Sequence, residues 1–94
     1  LVNCAGSLLL KPAHLTTLAE WNDTLAANLT TAFAAVRVGA KAMMQTGGSI
    51  VLCGTAAARA GFANHEAIAA AKGGVMALML SAAASYAPRR IRVN

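Results

Sequence analysis

Three short apolar segments separated by two long helical segments limit the folds open to this chain more than any other feature. The apolar segments begin at Leu1, at Ser49 and at Ile91. The middle segment, 49–54, is apolar without alternation, which is typical of a parallel strand covered on both faces. A strand–helix–strand–helix–strand order with such strands predicts right-handed crossovers and an α/β fold with a parallel sheet.

The first helical segment has a clear start and a regular apolar pattern. Thr17 and Glu20 fit a capping box, in which the hydroxyl and the carboxylate bind free amide groups of the first turn. Gly47 and Gly48 end the segment. Apolar residues between these limits recur at steps of three and four, which predicts one long amphipathic helix with this buried stripe: Leu18, Trp21, Leu25, Leu29, Phe33, Val36, Ala40 and Met43.

The second helical segment is expected from about His65 to Tyr86, with Asn64 as its N-cap and Pro88 as its stop. Because it is apolar nearly all round, we expect it to be buried on more than one side. Its longest uncharged stretch, 73–88, is too short and too rich in Ala and Gly to span a bilayer. We therefore expect a cytoplasmic protein that has no membrane partner.

Composition and charge limit the partners further. The chain is 57% apolar and only 12% charged, whereas a small free-standing domain keeps much of its surface in water. We therefore expect other parts of the same domain, or a second subunit, to cover some of its apolar surface. The net charge of +5 comes from basic residues that are scattered, apart from a short terminal group at Arg89, Arg90 and Arg92, and the chain has few aromatic residues. This pattern argues against nucleic-acid binding and indicates a mild attraction for phosphate-bearing ligands.

The two cysteines, Cys4 and Cys53, lie in apolar strand contexts. We expect both to be small buried hydrophobic residues. Their number and spacing fit neither a disulfide framework nor a metal site, so no metal is predicted.

Three polar residues stand in apolar surroundings. Asn28 lies on the expected buried stripe, and Lys72 is the only charge in an otherwise uncharged helical run. Both need specific partners if they are buried. Thr55 ends the second strand, where ligands of parallel sheets bind. Each also has a structural interpretation: an asparagine at a helix bend, a lysine reaching water along its stem, and a threonine in a turn.

Five segments together resemble one family. Residues 1–6 resemble the Asn-Asn-Ala-Gly segment of short-chain dehydrogenases/reductases, and 28–33 resemble the Asn-containing helix of that family. Residues 48–51 are similar to its next strand, 64–75 to its catalytic helix and 89–94 to its following strand. The resemblance covers the chain in order and implies a doubly wound, Rossmann-like parallel sheet. It implies that 1–94 is part of a single NAD(P)-binding domain whose N-terminal cofactor-binding half and C-terminal substrate loop lie outside the chain.

The resemblance also implies a mechanism. Hydride passes between NAD or NADP and a small carbonyl or alcohol substrate, and a Tyr acts as general acid/base. By this resemblance, Lys72 takes the role of the lysine that holds the nicotinamide ribose. Thr55 takes the role of the hydroxyl residue that orients the substrate oxygen. Asn28 takes the role of the asparagine that helps to hold a water. The expected cofactor contacts are these: Asn3, Ala5, Gly6 and Lys72.

Position 68, four residues before Lys72, is Ile where the family has its catalytic Tyr. An isoleucine cannot exchange a proton, and loss of such a group typically slows a reaction by roughly 10²–10⁴-fold. Histidine is a common proton-transfer residue, but His65 is expected to belong to the start of the helix. Two smaller departures are Cys4 in place of an Asn, and Arg90 where the family often has Gly. A left-handed backbone at Arg90 would cost about 1 kcal/mol.

Two hypotheses for the intact protein remain open, and a third concerns these residues alone. The intact protein is an NAD(P)-dependent oxidoreductase whose proton comes from water, His65 or another residue. Alternatively, it is a non-catalytic nucleotide-binding or subunit-interaction scaffold that has lost its Tyr. We expect the 94 residues alone to be inactive. The family commonly forms homo-oligomers through its two long helices, and Gly73, Gly74 and Ala77 would permit close helix approach.

Overall fold

The computed structural model describes all 94 residues and contains a three-stranded parallel sheet. Strands β1 (Val2–Asn3), β2 (Gly48–Leu52) and β3 (Ile91–Val93) lie in the order β1-β2-β3. The order in space follows the order along the chain, so each helical crossover joins neighbouring parallel strands. The predicted α/β fold with a parallel sheet is confirmed.

The first helical segment is interrupted by a π-turn. It consists of α1 (Leu18–Leu25), the π-turn (Ala26–Thr30) and α2 (Thr31–Met43). The backbone N–H of Glu20 donates to the Thr17 hydroxyl at 3.1 Å, so the predicted N-cap is confirmed. Within the π-turn, the Asn28 side chain donates to the carbonyl oxygen of Thr24, four residues earlier, at 2.9 Å. The side chain thus supplies a hydrogen bond at the point where the regular helical pattern breaks.

The buried face of this segment differs from the predicted stripe. Leu18 and Phe33 are 75% and 52% exposed, so their predicted burial is wrong. The extra residue of the π-turn changes the phase of the helix, and small or polar side chains face the sheet and α3. At Gly39 an added Cβ would lie only 3.1 Å from the Ile50 side chain, which shows how closely the helix approaches the sheet. The fully buried positions are these: Thr24, Asn28, Ala32, Val36, Gly39 and Ala40.

The start of the second long helix also differs from the prediction. Helix α3 (Glu66–Tyr86) follows His65, which occupies the N-cap position without a side-chain hydrogen bond to the helix. Asn64 has a left-handed backbone (φ 62°), and its carbonyl oxygen accepts from the Lys11 N–H at 2.9 Å. Asn64 therefore ties the first loop to the start of α3 and is not the N-cap.

Within this chain helix α3 buries one face only, and its burial on several sides stays a prediction for the whole protein. Ile68 and Val75 are buried, whereas Leu80 is 64% exposed. The helical segment Glu66–Arg89, which includes a 3₁₀ turn at Pro88, is long and apolar enough to cross a membrane by length and composition. Length alone therefore does not exclude a span, contrary to the sequence argument. The packing of α3 against the first helical segment and β3 instead favours a core helix of a folded domain.

One face of the sheet is covered by the helices and the other is open. Ile50 and Ile91 are buried against the helices, whereas Val2 and Val51 are 68% and 42% exposed. Within this chain the middle strand is covered on one face only, and its coverage on both faces stays a prediction for the whole domain. Both cysteines are also exposed, contrary to expectation.

The turn into β3 uses two left-handed residues in contact. Arg90 has φ 57° and ψ 33°, the conformation that its place in the family pattern predicts. Gly47 has φ 73°, and an added Cβ there would lie 2.8 Å from the Arg90 carbonyl oxygen. A glycine at position 47 therefore meets both a backbone and a space requirement.

An ion pair fixes the loop between β1 and α1. The Lys11 ammonium binds the Glu20 carboxylate at 2.9 Å, and both side chains are partly exposed. The hydrogen bond from Lys11, together with one from Thr17 and the nearby positive charge, lowers the pKa of Glu20 below its ordinary value. The same glutamate belongs to the N-terminal cap of α1, so the ion pair holds the loop on the start of this helix.

Candidate active site

The candidate site lies where β1 and β2 end. Gly6 follows β1, Thr55 follows β2, and the first turns of α3 bring Lys72 to the same edge. Parallel sheets bind ligands at this edge, because the strand ends and the loops after them leave a crevice there.

Asn28 is the most completely bonded polar side chain in the site. It is 1% exposed. Its Oδ1 accepts from the Ser7 backbone N–H at 3.2 Å, and its Nδ2 donates to the Ser7 hydroxyl at 3.2 Å and to the Thr24 carbonyl at 2.9 Å. These partners fix which way the amide points, since its oxygen and nitrogen meet groups of opposite hydrogen-bonding type.

Ser7 is a site residue that the sequence analysis missed. Its backbone and hydroxyl together hold the Asn28 amide. One signal could have identified it: a small hydroxyl residue directly after Gly6, at a strand end that faces a buried asparagine. That signal is weak by itself, because serine is common in loops.

Gly6 lies between Asn28 and Lys72. A Cβ added to Gly6 would lie 2.6 Å from Asn28 Oδ1 and 3.6 Å from Lys72 Nζ. The first distance is shorter than a van der Waals contact allows, so only glycine fits without a shift of the neighbours. The structure therefore brings together three of the predicted site residues at one point of the strand edge.

Lys72 has one hydrogen-bond partner within the chain. The residue is 8% exposed, and its Nζ donates to the Cys53 carbonyl oxygen at 2.7 Å. The specific partner that the buried lysine needs within the chain is thus a backbone carbonyl. An ammonium has three N–H donors, so two remain for a ligand at the strand edge. This donor set fits the vicinal hydroxyls of a nicotinamide ribose.

Thr55 is half-buried, and its hydrogen bonding is local. It has an extended backbone (φ −150°, ψ 148°), and its hydroxyl oxygen accepts from the Ala57 N–H at 3.3 Å. It thereby caps the 3₁₀ turn Ala56–Ala58, as the turn interpretation predicts. The hydroxyl proton is not used in this bond, so it can be donated to a substrate oxygen.

Asn3 and Ala5 shape the end of β1. The Ala5 N–H donates to the Asn3 side-chain oxygen at 3.3 Å, which forms a tight turn directly after the strand. Ala5 and Gly6 are exposed at this edge, so their backbone is accessible to a ligand. Their cofactor contacts stay a prediction.

Ile68 lies one helical turn before Lys72 and is 4% exposed. It shares the buried face of α3 with Lys72, as the spacing of four predicts. No proton-exchanging side chain replaces it there. His65 Nδ1 lies 2.7 Å from the Ala63 carbonyl, and its ring meets Phe62 edge-on at 5.5 Å. A carbonyl only accepts, so Nδ1 carries a proton, and these contacts place the ring at the start of the helix, as expected.

Comparisons with known proteins give a consistent set of matches. A protein-family model described as enoyl-(acyl carrier protein) reductase matches residues 1–94. A D-threitol dehydrogenase of Mycolicibacterium smegmatis is 38% identical over 95 residues, which cover 100% of this chain and 36% of that protein. An inactive 2-(S)-hydroxypropyl-CoM dehydrogenase 2 of Xanthobacter autotrophicus is 36% identical over 95 residues, covering 100% and 41%. The solved structure of a metagenomic short-chain oxidoreductase in complex with NADP matches with a TM-score of 0.92 and 33% identity, over 99% of this chain and 42% of that one.

Proposed function

Because this chain belongs to the short-chain dehydrogenase/reductase family, we propose that the full-length protein is an NAD(P)-dependent oxidoreductase. It transfers hydride between a nicotinamide cofactor and a small carbonyl or alcohol substrate. One observation carries the proposal: the buried Lys72 ammonium uses one donor on the Cys53 carbonyl and keeps two at the strand edge. The similarity to a structure in complex with NADP supports the choice of cofactor class.

The residues of this chain divide the work of binding and orientation. Lys72 holds the nicotinamide ribose by its two remaining N–H donors. Thr55 donates its hydroxyl proton to the substrate oxygen and so fixes the reacting carbon in position. Asn28 is hydrogen-bonded to Ser7 and so holds the helix bend against the strand end next to Lys72. The bound cofactor supplies or accepts the hydride.

The proton needs a source other than position 68. Ile68 has no acidic or basic atom, and its side chain is buried next to Lys72. We propose that water at the strand edge, or a residue outside this chain, exchanges the proton with the substrate oxygen. His65 stays a weaker candidate, because its Nδ1 is held by the Ala63 carbonyl and its ring by Phe62.

A second candidate function is a scaffold that binds nucleotide or another subunit without turnover. The buried Ile68 favours it, since the position of the expected acid is filled by an apolar side chain. A relative whose name describes it as inactive lends the same support. Under this proposal, Lys72 and Asn28 serve binding and packing alone.

The assembly and location of the protein are also proposals. We propose a cytoplasmic homo-oligomer in which the exposed face of α3 meets its counterpart in a second copy. Gly73 and Ala77 present little side-chain bulk on this helix, and Leu80 is 64% exposed. We further propose that residues 1–94 form part of a single nucleotide-binding domain. Size-exclusion chromatography with light scattering tests the assembly, and a clean monomer would contradict it.

The experiment that separates the two functions uses the full-length protein and its Ile68→Tyr variant. Oxidation of NADH and NADPH is followed with a panel of ketones and aldehydes. An Ile68→Val variant controls for disturbance of the buried site, and circular dichroism checks that each variant is folded. Turnover by the natural protein, no faster in the Tyr variant, supports an oxidoreductase with another proton source. Turnover by the Tyr variant alone supports the scaffold. If no variant binds cofactor or turns over substrate, both the oxidoreductase and the nucleotide-binding form of the scaffold are contradicted.

A further inference from the structure

Ser7 contacts both ends of the Asn28 side-chain amide. Its backbone N–H donates to Asn28 Oδ1, and its hydroxyl oxygen accepts from Asn28 Nδ2, each at 3.2 Å. The torsion that carries a side-chain amide is broad and roughly two-fold, so two contacts at opposite ends restrict it more than one contact would. Every residue except proline has a backbone N–H, so only the second contact depends on the serine side chain.

The Ser7 hydroxyl completes the hydrogen bonding of a buried amide. Asn28 is 1% exposed, and its Nδ2 carries two N–H groups. One donates to the Thr24 carbonyl oxygen at 2.9 Å and the other to the Ser7 hydroxyl. Without that hydroxyl one buried donor would have no acceptor within the chain, which is unfavourable. The Asn28 amide, and the π-turn that carries it, are therefore expected to shift when the hydroxyl is removed.

The π-turn that carries Asn28 also packs closely on α3. A Cβ added to Gly74 would lie 2.9 Å from the Leu29 side chain, and Leu29 directly follows Asn28 in the π-turn. Gly74 lies two residues after Lys72 on α3. Because packed side chains transmit displacements, a shift of the π-turn moves the part of α3 that carries Lys72.

Gly6 brings the end of β1 to the same amide and to the same lysine. It directly precedes Ser7, and a Cβ added to it would lie 2.6 Å from Asn28 Oδ1 and 3.6 Å from Lys72 Nζ. The amide thus touches the strand end, while its π-turn touches α3. The position of the amide therefore sets the spacing between Gly6 and the Lys72 ammonium.

We propose that Ser7 is a positioning residue, whose hydroxyl acts through Asn28 and the π-turn to place the Lys72 ammonium at the ligand edge. The inference rests on the proposed function, because the nicotinamide cofactor is the ligand whose binding depends on the position of Lys72. Each contact in the path from Ser7 to Lys72 joins two residues of this chain.

The test compares binding of NADH and NADPH by the full-length protein and by three variants at position 7. Loss of one neutral hydrogen bond changes an equilibrium constant by about 2–13-fold, so Ser7→Ala is expected to raise the dissociation constant by that factor. Ser7→Cys keeps the size of the side chain, but its sulfur is a weak acceptor, and it is expected to behave as Ser7→Ala does. Ser7→Thr keeps the hydroxyl and is expected to bind as the natural protein does. Fluorescence titration measures the constants, and circular dichroism checks that each variant is folded.

Thr31 supplies a matched control in the same helical segment. Its hydroxyl donates to the Ala27 carbonyl oxygen at 2.7 Å, so it stabilises the π-turn without contacting the strand end. Thr31→Val keeps the shape of the side chain and removes this hydroxyl. We expect it to lower the midpoint of urea unfolding and to leave the dissociation constant unchanged. If Thr31→Val weakens cofactor binding as much as Ser7→Ala does, any loosening of the π-turn suffices and the role of Ser7 is overturned.

A double-mutant cycle shows whether Ser7 acts through Lys72. Once Lys72→Met has removed the ammonium, Ser7→Ala is expected to have little further effect on the dissociation constant, so the two factors do not multiply. The same factor in both backgrounds would contradict a path through Lys72. Equal binding by Ser7→Ala and the natural protein would also contradict it and would leave the proposed function intact. No cofactor binding by the natural protein would contradict both.

Discussion

Replacing Gly6 by Ala tests the geometry of the candidate site directly. The new methyl group would lie 2.6 Å from Asn28 Oδ1 and 3.6 Å from Lys72 Nζ. The Asn28 amide cannot move freely, because it is 1% exposed and bonded on both ends. Insertion of a methyl group into such a packed position typically costs about 1–3 kcal/mol.

Gly54 is the matched control for this substitution. It follows β2 as Gly6 follows β1, but an added Cβ there meets nothing within 4 Å. We expect Gly54→Ala to change the free energy of unfolding by less than about 1 kcal/mol, with a stabilising contribution from the reduced freedom of the unfolded chain. With a urea dependence of about 2 kcal/mol per molar, a loss of about 2 kcal/mol in Gly6→Ala lowers the unfolding midpoint by about 1 M.

A double-mutant cycle identifies the clashing atom. Asn28→Ala removes Oδ1, so the methyl group of Gly6→Ala is expected to cost markedly less in that background, with a coupling of about 1 kcal/mol or more. Urea unfolding of the full-length protein, the two single variants and the double variant measures this coupling. Equal stability of Gly6→Ala and Gly54→Ala, or strict additivity in the cycle, would refute the proposed contact.

Two further predictions concern stability away from the strand edge. Lys11 lowers the pKa of Glu20, so the ion pair stabilises the fold above the ordinary pKa of a free glutamate and this contribution is lost as the pH falls through the lowered value. Glu20→Gln is therefore expected to flatten the acid side of a stability–pH curve measured by thermal unfolding, and an unchanged curve would contradict this origin. Arg90→Gly removes a side chain from a left-handed residue with φ 57° and is expected to raise the free energy of unfolding by about 1 kcal/mol. Urea denaturation measures it, with Arg89→Gly as the control that is expected not to stabilise.

The sequence predicts the order of elements because that order depends on local patterns. The Thr17 cap and the stop at Pro88 are each decided by residues within a turn of one another, whereas the left-handed Arg90 was predicted from its place in the family pattern. The π-turn at Asn28 is different. Whether a mid-helix asparagine bends the helix depends on what lies opposite its amide, and here that is Ser7, twenty-one residues away along the chain.

Predictions that depend on tertiary packing failed for the same reason. Leu18 and Phe33 fit a helical stripe, but the π-turn shifts the phase and small residues take the buried positions. Asn64 is a residue type favoured at N-caps, yet its backbone is left-handed and its carbonyl oxygen accepts a hydrogen bond from Lys11 in the first loop. The cysteines were predicted to be buried because their strands are apolar, whereas the sheet face that they occupy is uncovered within this chain.

The candidate site is predicted in part. Asn28 and Lys72 were identified from their polar character in apolar surroundings, and both are buried with specific partners. Their convergence on Gly6 could not be read from spacing, because it joins a strand end, a helix bend and a second helix. The Cys53 carbonyl could not be predicted as the partner of Lys72, because every residue has a backbone carbonyl and the sequence does not distinguish one from another.

The most direct test of the account is cofactor binding by the full-length protein and its Lys72→Met variant. Methionine keeps the length and apolar stem of the lysine but removes the ammonium, and Lys41→Met, at an exposed position on α2, controls for loss of charge. A hydrogen bond from a charged group is worth about 1.5–3 kcal/mol, so the dissociation constant for NADH or NADPH is expected to rise about 10–150-fold in Lys72→Met and to stay unchanged in Lys41→Met. Fluorescence titration measures these constants. Equal binding by Lys72→Met and the natural protein, or no binding by the natural protein, would contradict the account.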